Sequence, residues 1–384
     1  MSDWLTLTAA RIAATATDDL RALVDVSSPS GDAAAAEAVI ALAIERLPPG
    51  ATVERVPCSS ADHADDLIAR VQGTGTARIV LVGHVDTVVA HEDHAPLAAD
   101  PADPARVVGS GSIDMKGGDV LALGVLRALA GRPQDFAEAA LLLVTDEEWR
   151  LGAFAHAGRF AGFDACLCFE AGELDAEGRD AVIVKRKAAG TVRIVATGRS
   201  AHSGANPDGG ANALLALAAA AQAVAACHDP QGEDHLTAVP TVIASGGAFN
   251  VVPASGELIC DVRADRLEAV DRVLAAIPAE VGGATLAAEN QRAWPGMDHR
   301  ASMAPVLEDA STRLGAPIVA GERGGASDAS HFGDVVPFCV DGLGPLGGLA
   351  HAPGEYVMEA SLERRAKVAL AVLESILAAA SVDA

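Results

Sequence analysis

The sequence predicts an α/β protein, with a mostly parallel sheet, helices on both faces and an inserted α+β domain. Three observations support this. Apolar runs end in polar residues at IVLVGHVD (79–86), AALLLVTDEE (139–148) and FDACLCFE (163–170). Uninterrupted β-formers of that length suit strands buried on both faces of a parallel sheet. From about residue 187 the pattern changes to alternation, as in TVRIVATG (191–198), which suits strands with one exposed face. Helical stretches separate the strands throughout.

Taken in order, the first 47 residues read as two amphipathic helices broken by SSPSG (27–31), a turn and helix-start signal. Thr52–Val56 and Asp66–Val71 read as short strands. In the strand that follows, His84 and Asp86 are two residues apart and face one cavity. They stand at the carboxyl end, where open α/β sheets bind ligands, and Asp86 is placed to hold the second nitrogen of a metal-binding His84. His91, Asp93 and His94, in HEDHAPLAADPADP (91–104), read as surface residues of a Pro- and Asp-rich loop. VVGSGSIDMKGG (107–118) resembles a dinucleotide loop only in part, because Asp114 replaces the third glycine and no ribose-binding acid follows. An Asp in a Gly-rich turn before the helical pattern Asp119–Leu129 is instead placed to offer both oxygens to two cations. Glu147 and Glu148 cap the second apolar run and Glu170 ends the third. Neighbouring side chains diverge, so one of Glu147 and Glu148 can bind metal while the other reaches a water beside it.

The alternating region reads as a strand (187–198), a helix (211–227), strands at Thr237–Ala244 and Asn250–Arg263, a helix (267–277) and a strand (284–289). The order β-α-β-β-α-β is ferredoxin-like. The expected division is a first domain in two parts, 1–186 and 294–384, with 187–293 inserted. The returning part holds a helix near Pro305–Leu314, RGGASDASHFGD (323–334), a strand at Val335–Asp341, the His351 loop GLGPLGGLAHAPGEY (342–356) and a helix at Ser361–Ala380.

Composition narrows the function. With 52 acids against 28 cations, the formal charge of −24 disfavours nucleic acid and anionic membrane as partners. No apolar stretch approaches the roughly 20 residues that span a bilayer, and the N-terminal stretch lacks the basic segment of a secretory signal. The six cysteines are scattered without a CxxC pair, so free thiols and a cytoplasmic location are expected.

Eight ordered motifs, GHVDTV, GSIDMKGG, TDEE, CFE, GRSAHSGANP, NVVPASGELICDVR, GGASDA and HAPGEY, run nearly end to end. In them the chain resembles the co-catalytic dinuclear zinc peptidases: glutamate carboxypeptidases, aminoacylases, acetylornithine deacetylases and succinyl-diaminopimelate desuccinylases. RKAAGTVRIVATGRSAHSGANP (186–207) and RGGASDA are most similar to the glutamate carboxypeptidase branch. The resemblance implies a zinc-exopeptidase-like fold and two divalent metal ions per chain, zinc first, with manganese or cobalt as alternatives. It implies that Asp114 bridges the ions, that His84 and Glu170 complete one position, and that Glu148 and His351 complete the other. Asp86 then orients His84, and Glu147 is the general base. His202 resembles the insert histidine that reaches the partner subunit's site to stabilise the oxyanion, which makes the insert a lid and dimerisation domain and the protein a homodimer. Arg263 resembles the family's carboxylate-binding arginine, with Asn250 at the same substrate end, Gly325 and Ser327 lining the pocket, and Arg292 a second carboxylate-clamp candidate. Asp328 and His331 lie outside the ligand set and read as structural.

The expected activity is hydrolysis of an amide bond next to a free amino-acid carboxylate, in a small-molecule amide or peptide. Acetylornithine-type deacylation or dipeptide cleavage on the same site is the alternative. A metal-bound but inactive binding protein is disfavoured because Glu147 and every expected ligand are present.

Overall fold

In the computed structural model, which describes residues 3–381, each strand that carries a predicted ligand ends at one edge of a single sheet. Helix α1 (Asp3–Val24) buries Leu5, Ile12, Ala16, Leu20 and Leu23 along one stripe. Helix α2 (Ala33–Glu45) starts at Asp32, whose carboxylate accepts the Ala35 N–H. Strands β1 (Thr52–Val56), β2 (Asp66–Gln72) and β3 (Arg78–His84) follow. After helix α3 (Gly117–Ala130) come β4 (Glu138–Val144), β5 (Ala165–Cys168) and β6 (Asp180–Arg186).

The next segment contains β7 (Ala188–Thr197), α4 (Ala213–Ala226), β8 (Thr237–Ser245), β9 (Ser255–Ala264), α5 (Ala269–Ala276) and β10 (Ala284–Trp294). The chain then forms α6 (Arg300–Leu314), β11 (Ile318–Arg323), β12 (Phe338–Val340) and α7 (Ser361–Ala380).

The first sheet has the order β1-β2-β4-β3-β5-β12. Strands β4, β3, β5 and β12 run parallel, and β1 and β2 form an antiparallel margin. One large core lies between this sheet and α1, α3 and α7. A second core covers the other face through Phe160, Phe163, Phe332 and Val336, partly from the 3-10 turns Ala157–Phe160 and Asp328–Phe332. Arg365 of α7 is wholly buried and donates to the carbonyls of Ala181, Gly342 and Gly344, fixing the approach to the His351 loop.

Residues 188–294 build an antiparallel sheet of order β8-β9-β7-β10, extended by the short strand Glu280–Val281. That is the ferredoxin-like order, and α4 and α5 close a separate apolar core on one face. The predicted strand Asn250–Arg263 starts only at Ser255, because Pro253 has no N–H for a ladder. Asn250 and Val252 instead bond backbone to backbone with Ser203 and Ala201. The predicted strand 284–289 continues to Trp294, which pairs with Ala189; the polar run ENQR hides this extension from an apolar pattern.

Candidate metal centre and active site

Three adjacent parallel strands, β4, β3 and β5, deliver Glu147 and Glu148, His84, and Glu170 to one edge of the sheet. Parallel strands all present the same end there, so register alone gathers residues distant in sequence. Asp114 arrives from the turn before α3, and His351 from the loop before α7.

The two oxygens of Asp114 part between two imidazoles. Oδ1 lies 3.1 Å from His84 Nε2, and Oδ2 lies 3.0 Å from His351 Nε2. Glu148 Oε1 is 3.1 Å from the same His351 nitrogen, and Glu170 Oε1 is 3.8 Å from His84 Nε2. His84 Nδ1 lies 3.0 Å from the Asp86 carbonyl and 3.3 Å from its carboxylate. An Nδ1–H donated to Asp86 leaves the Nε2 lone pair facing Asp114, the tautomer that metal ligation needs. Asp86 also accepts the N–H groups of Glu147 and Glu148, at 3.1 Å each, and so fixes the backbone that carries both acids.

Gly83 makes room for this arrangement. A Cβ there would stand 2.0 Å from the Oδ1 of Asp119, a buried acid pushed up to about 8 by its burial.

The electrostatics call for positive charge. Burial holds Glu147 well above the ordinary carboxylate range, and burial with the neighbouring Asp114 pushes Glu170 to about 8. Burial also raises Glu148. Burial opposes protonation of His84, but hydrogen bonds with Asp114 and Asp86 carry it well above the usual imidazole value. Hydrogen bonds with Asp114 and Glu148 push His351 up to about 10. Burial works to raise Asp114, but hydrogen bonds from His351 and His84 hold it below its ordinary value. Acids gathered out of water are stable only beside cations. Ligand atoms of His84, Asp114 and Glu148 lie within 4.8 Å of one another, and a mixed imidazole and carboxylate set suits zinc. The residues present fit a metal.

The other predicted residues stand elsewhere. His202 and Asn250 are exposed, and the backbone holds their loops side by side. His202 Nδ1 accepts the N–H groups of Gly204 and Ala205, and no hydrogen bond or ion pair joins it to the ligand cluster among the described residues. Arg263 lies on β9 with its Nε and Nη2 on the Asp261 carboxylate, at 3.0 and 2.9 Å. Gly325 accepts Arg186 Nη1 through its carbonyl at 2.8 Å, and Ser327 is buried with its hydroxyl donating to Asp341 at 2.6 Å. Arg292 lies 4.2 Å over the Trp294 ring, and its buried Nε has no hydrogen-bond partner among the described residues.

Two structural partners escape a reading by motif. Arg150 is wholly buried, pairs with Asp328 and lies over Phe154 and Trp294. Glu355, four residues after His351, accepts N–H groups from the Asp114 turn. Its spacing within HAPGEY is the only sequence sign of it.

Comparisons with known proteins bear on the family and the fold. The profile of peptidase family M20/M25/M40 matches residues 80–375. Carboxypeptidase G2 of Pseudomonas sp. (strain RS-16) is 28% identical over 267 residues, 66% of this chain, and the match spans only 61% of that relative's length. A succinyl-diaminopimelate desuccinylase of Halorhodospira halophila is 27% identical over 332 residues, covering 80% of this chain and 86% of that one. Among solved structures, the aminopeptidase PepT of Bacillus cereus superposes with a TM-score of 0.75 at 19% identity, covering 95% of this chain and 98% of that one. A metallo-carboxypeptidase of Sulfolobus solfataricus gives 0.72 at 15% identity, over 94% and 99%. Among the described residues no helix is long and apolar enough to cross a membrane. With three quarters of its length inside the family profile and a metal-fitting cluster at the sheet edge, the chain belongs to peptidase family M20/M25/M40 and is a metal-dependent hydrolase.

Proposed function

We propose that the protein cleaves an amide bond adjacent to a free amino-acid carboxylate, in the manner of a glutamate carboxypeptidase acting on N-acyl or aminoacyl conjugates. The carrying observation is Asp114, whose two oxygens stand 3.1 and 3.0 Å from two imidazoles, one at the end of β3 and one on the loop before α7. In this reading His84 and Glu170 hold one divalent ion, Glu148 and His351 hold a second, and Asp114 is shared. Zinc is favoured by the donor set, with manganese and cobalt as alternatives. Ions so held supply Lewis acidity toward an amide carbonyl and make water more acidic. Glu147, whose burial gives it a high proton affinity, takes the proton of the attacking water and returns it to the leaving amine.

The insert completes this chemistry. With Nδ1 of His202 accepting two backbone N–H groups, the ring proton sits on Nε2, a donor suited to a developing oxyanion. His202 and Asn250 are exposed, so they reach a catalytic centre by closure of residues 187–293 as a lid, or from the partner in a homodimer. An apolar edge on the insert supports the second route, with Val242 58%, Ile243 49% and Phe249 100% exposed.

Arg292, whose guanidinium forms no ion pair among the described residues, is the carboxylate clamp that needs no partner released first. Arg263 becomes available only on leaving Asp261. Trp149, Leu151 and Leu349 are 64%, 55% and 55% exposed on the two loops that carry Glu148 and His351, which favours an apolar or aromatic acyl group.

One observation favours a second reading, N-deacylation of the succinyl-diaminopimelate type. The two desuccinylases match over 86% and 90% of their lengths, against 61% for carboxypeptidase G2. A hydrolysis panel separates the two: N-benzoyl-glutamate, N-succinyl and N-acetyl amino acids, dipeptides, and the carboxamide counterpart of each. The first reading expects N-benzoyl-glutamate to lead and its carboxamide to be inert. Equal turnover of acids and carboxamides refutes the carboxylate requirement, and a lead for N-succinyl substrates establishes the second reading.

A further inference from the structure

Glu355 lies four residues beyond His351, at the start of the short strand Tyr356–Met358, which pairs antiparallel with Arg106–Val108. Its side chain is buried and folds back over the turn that carries Asp114. Oε2 accepts the Gly111 N–H at 2.7 Å, while Oε1 accepts the N–H groups of Ile113 at 2.8 Å and Asp114 at 3.0 Å. Its own carbonyl accepts the Gly109 N–H at 2.9 Å. The three donors converge because Gly111 is left-handed, with φ +72°, which turns successive N–H groups inward as an anion-binding nest. The anion in the nest belongs to the loop that bears the other imidazole ligand. That loop has left-handed backbone at Leu349 (φ +60°), His351 (φ +62°) and Gly354 (φ +84°), a shape that the first two hold only when their surroundings impose it.

We infer that Glu355 is a positioning residue that fastens the Asp114 turn to the His351 loop and thereby sets the affinity of both metal positions. The inference rests on the metal-centre reading proposed above. Asp114 is shared by both positions, so an error in its placement is felt at both, whereas an error in His351 alone is felt at one. The chemistry requires a carboxylate. Among the described residues three N–H groups donate to the carboxylate and no acceptor is paired with it, and its two oxygens divide the donors. A glutamine turns its NH2 toward at least one N–H, and an aspartate falls one methylene short.

The test is a titration of the metal-free full-length protein with Zn2+ followed by calorimetry, alongside thermal melting of the same metal-free samples. Wild type is expected to take up two ions. Glu355→Gln is expected to bind them about 10- to 100-fold more weakly, and Glu355→Asp to lose less while keeping the charge. A residue that only anchors a loop lowers the melting temperature of the metal-free protein and leaves the affinity of the folded fraction unchanged. Glu355→Gln affinities within about twofold of wild type therefore overturn the inference, whatever the melting shows. Should that variant fail to fold, wild-type affinity in Glu355→Asp overturns it equally. Wild type that takes up no zinc at all refutes the metal-centre reading instead, so the two failures are distinguishable.

Discussion

At the edge of the parallel sheet, His84, Asp114, Glu148, Glu170 and His351 each stand within hydrogen-bonding or near-contact distance of at least one other of the five. In the insert, His202 and Asn250 face solvent from loops, and Arg263 on β9 is held by Asp261. The contrast follows from how each sheet is buried. Strands β4, β3 and β5 are covered on both faces, so their ends have little freedom and the groups that follow them are pre-set. The inserted sheet is covered by α4 and α5 on one face, and its polar residues are free to pair among themselves until something else arrives. One region is preorganised, and the other takes part in the proposed chemistry only if it is delivered to it.

The sharpest way to break this contrast is Glu147→Gln. If the preorganised region holds the base, kcat falls by about 100- to 10,000-fold, while the ion content measured by elemental analysis is unchanged. Loss of the ions together with activity makes Glu147 a ligand and redraws the centre. Next in size is His202→Ala, with an expected fall in kcat of about 100- to 1,000-fold and no change in ion content. Mixing His202→Ala subunits with Glu147→Gln subunits sharpens the point, because a histidine acting across a subunit boundary restores part of the activity in hybrid dimers. A fully active His202→Ala protein removes the insert from the chemistry.

The smallest effect probes the seam between the regions. His331 stacks on Phe154 at 4.9 Å and touches Trp294 of β10 at the same ring distance. Burial, with Arg150 and Arg292 near it, holds its pKa down to about 3. The unfolded imidazole titrates near 6.5, so below that pH the unfolded state binds a proton that the folded state refuses. Its stabilising contribution is complete above pH 6.5 and is lost as pH falls toward 3, with a limiting slope of about 1.4 kcal/mol per pH unit. His331→Phe is expected to flatten the urea-unfolding stability curve between pH 6 and 4 relative to wild type. Parallel curves mean that the ring is charged in the folded protein.

How much the sequence disclosed depended on the range of the interaction. The α7 limits, Ser361–Ala380, and the three strands before His84, Glu147 and Glu170 follow from local period and apolar runs, so they are visible residue by residue. The pairing of Arg263 with Asp261 was also within reach, because positions i and i+2 of a strand share a face, but a motif reading favoured substrate instead. Glu355 was not within reach. Its partners are backbone N–H groups more than 240 residues earlier, which have no side-chain identity to betray them. Arg150 escaped for a related reason: Asp328 pairs with it across 178 residues, and nothing near EEWR marks a buried cation.

The sheet order also dictates when the centre can first exist. His84, Asp114, Glu148 and Glu170 precede the insert, whereas His351 and Glu355 come from the last part of the chain. A chain emerging from the ribosome can assemble the parallel strands early, yet the cage stays open on one side until residue 355 is out. On the proposed ligand set, cation capture would be a late event in biogenesis, joining segments that precede and follow the insert around the long excursion between them.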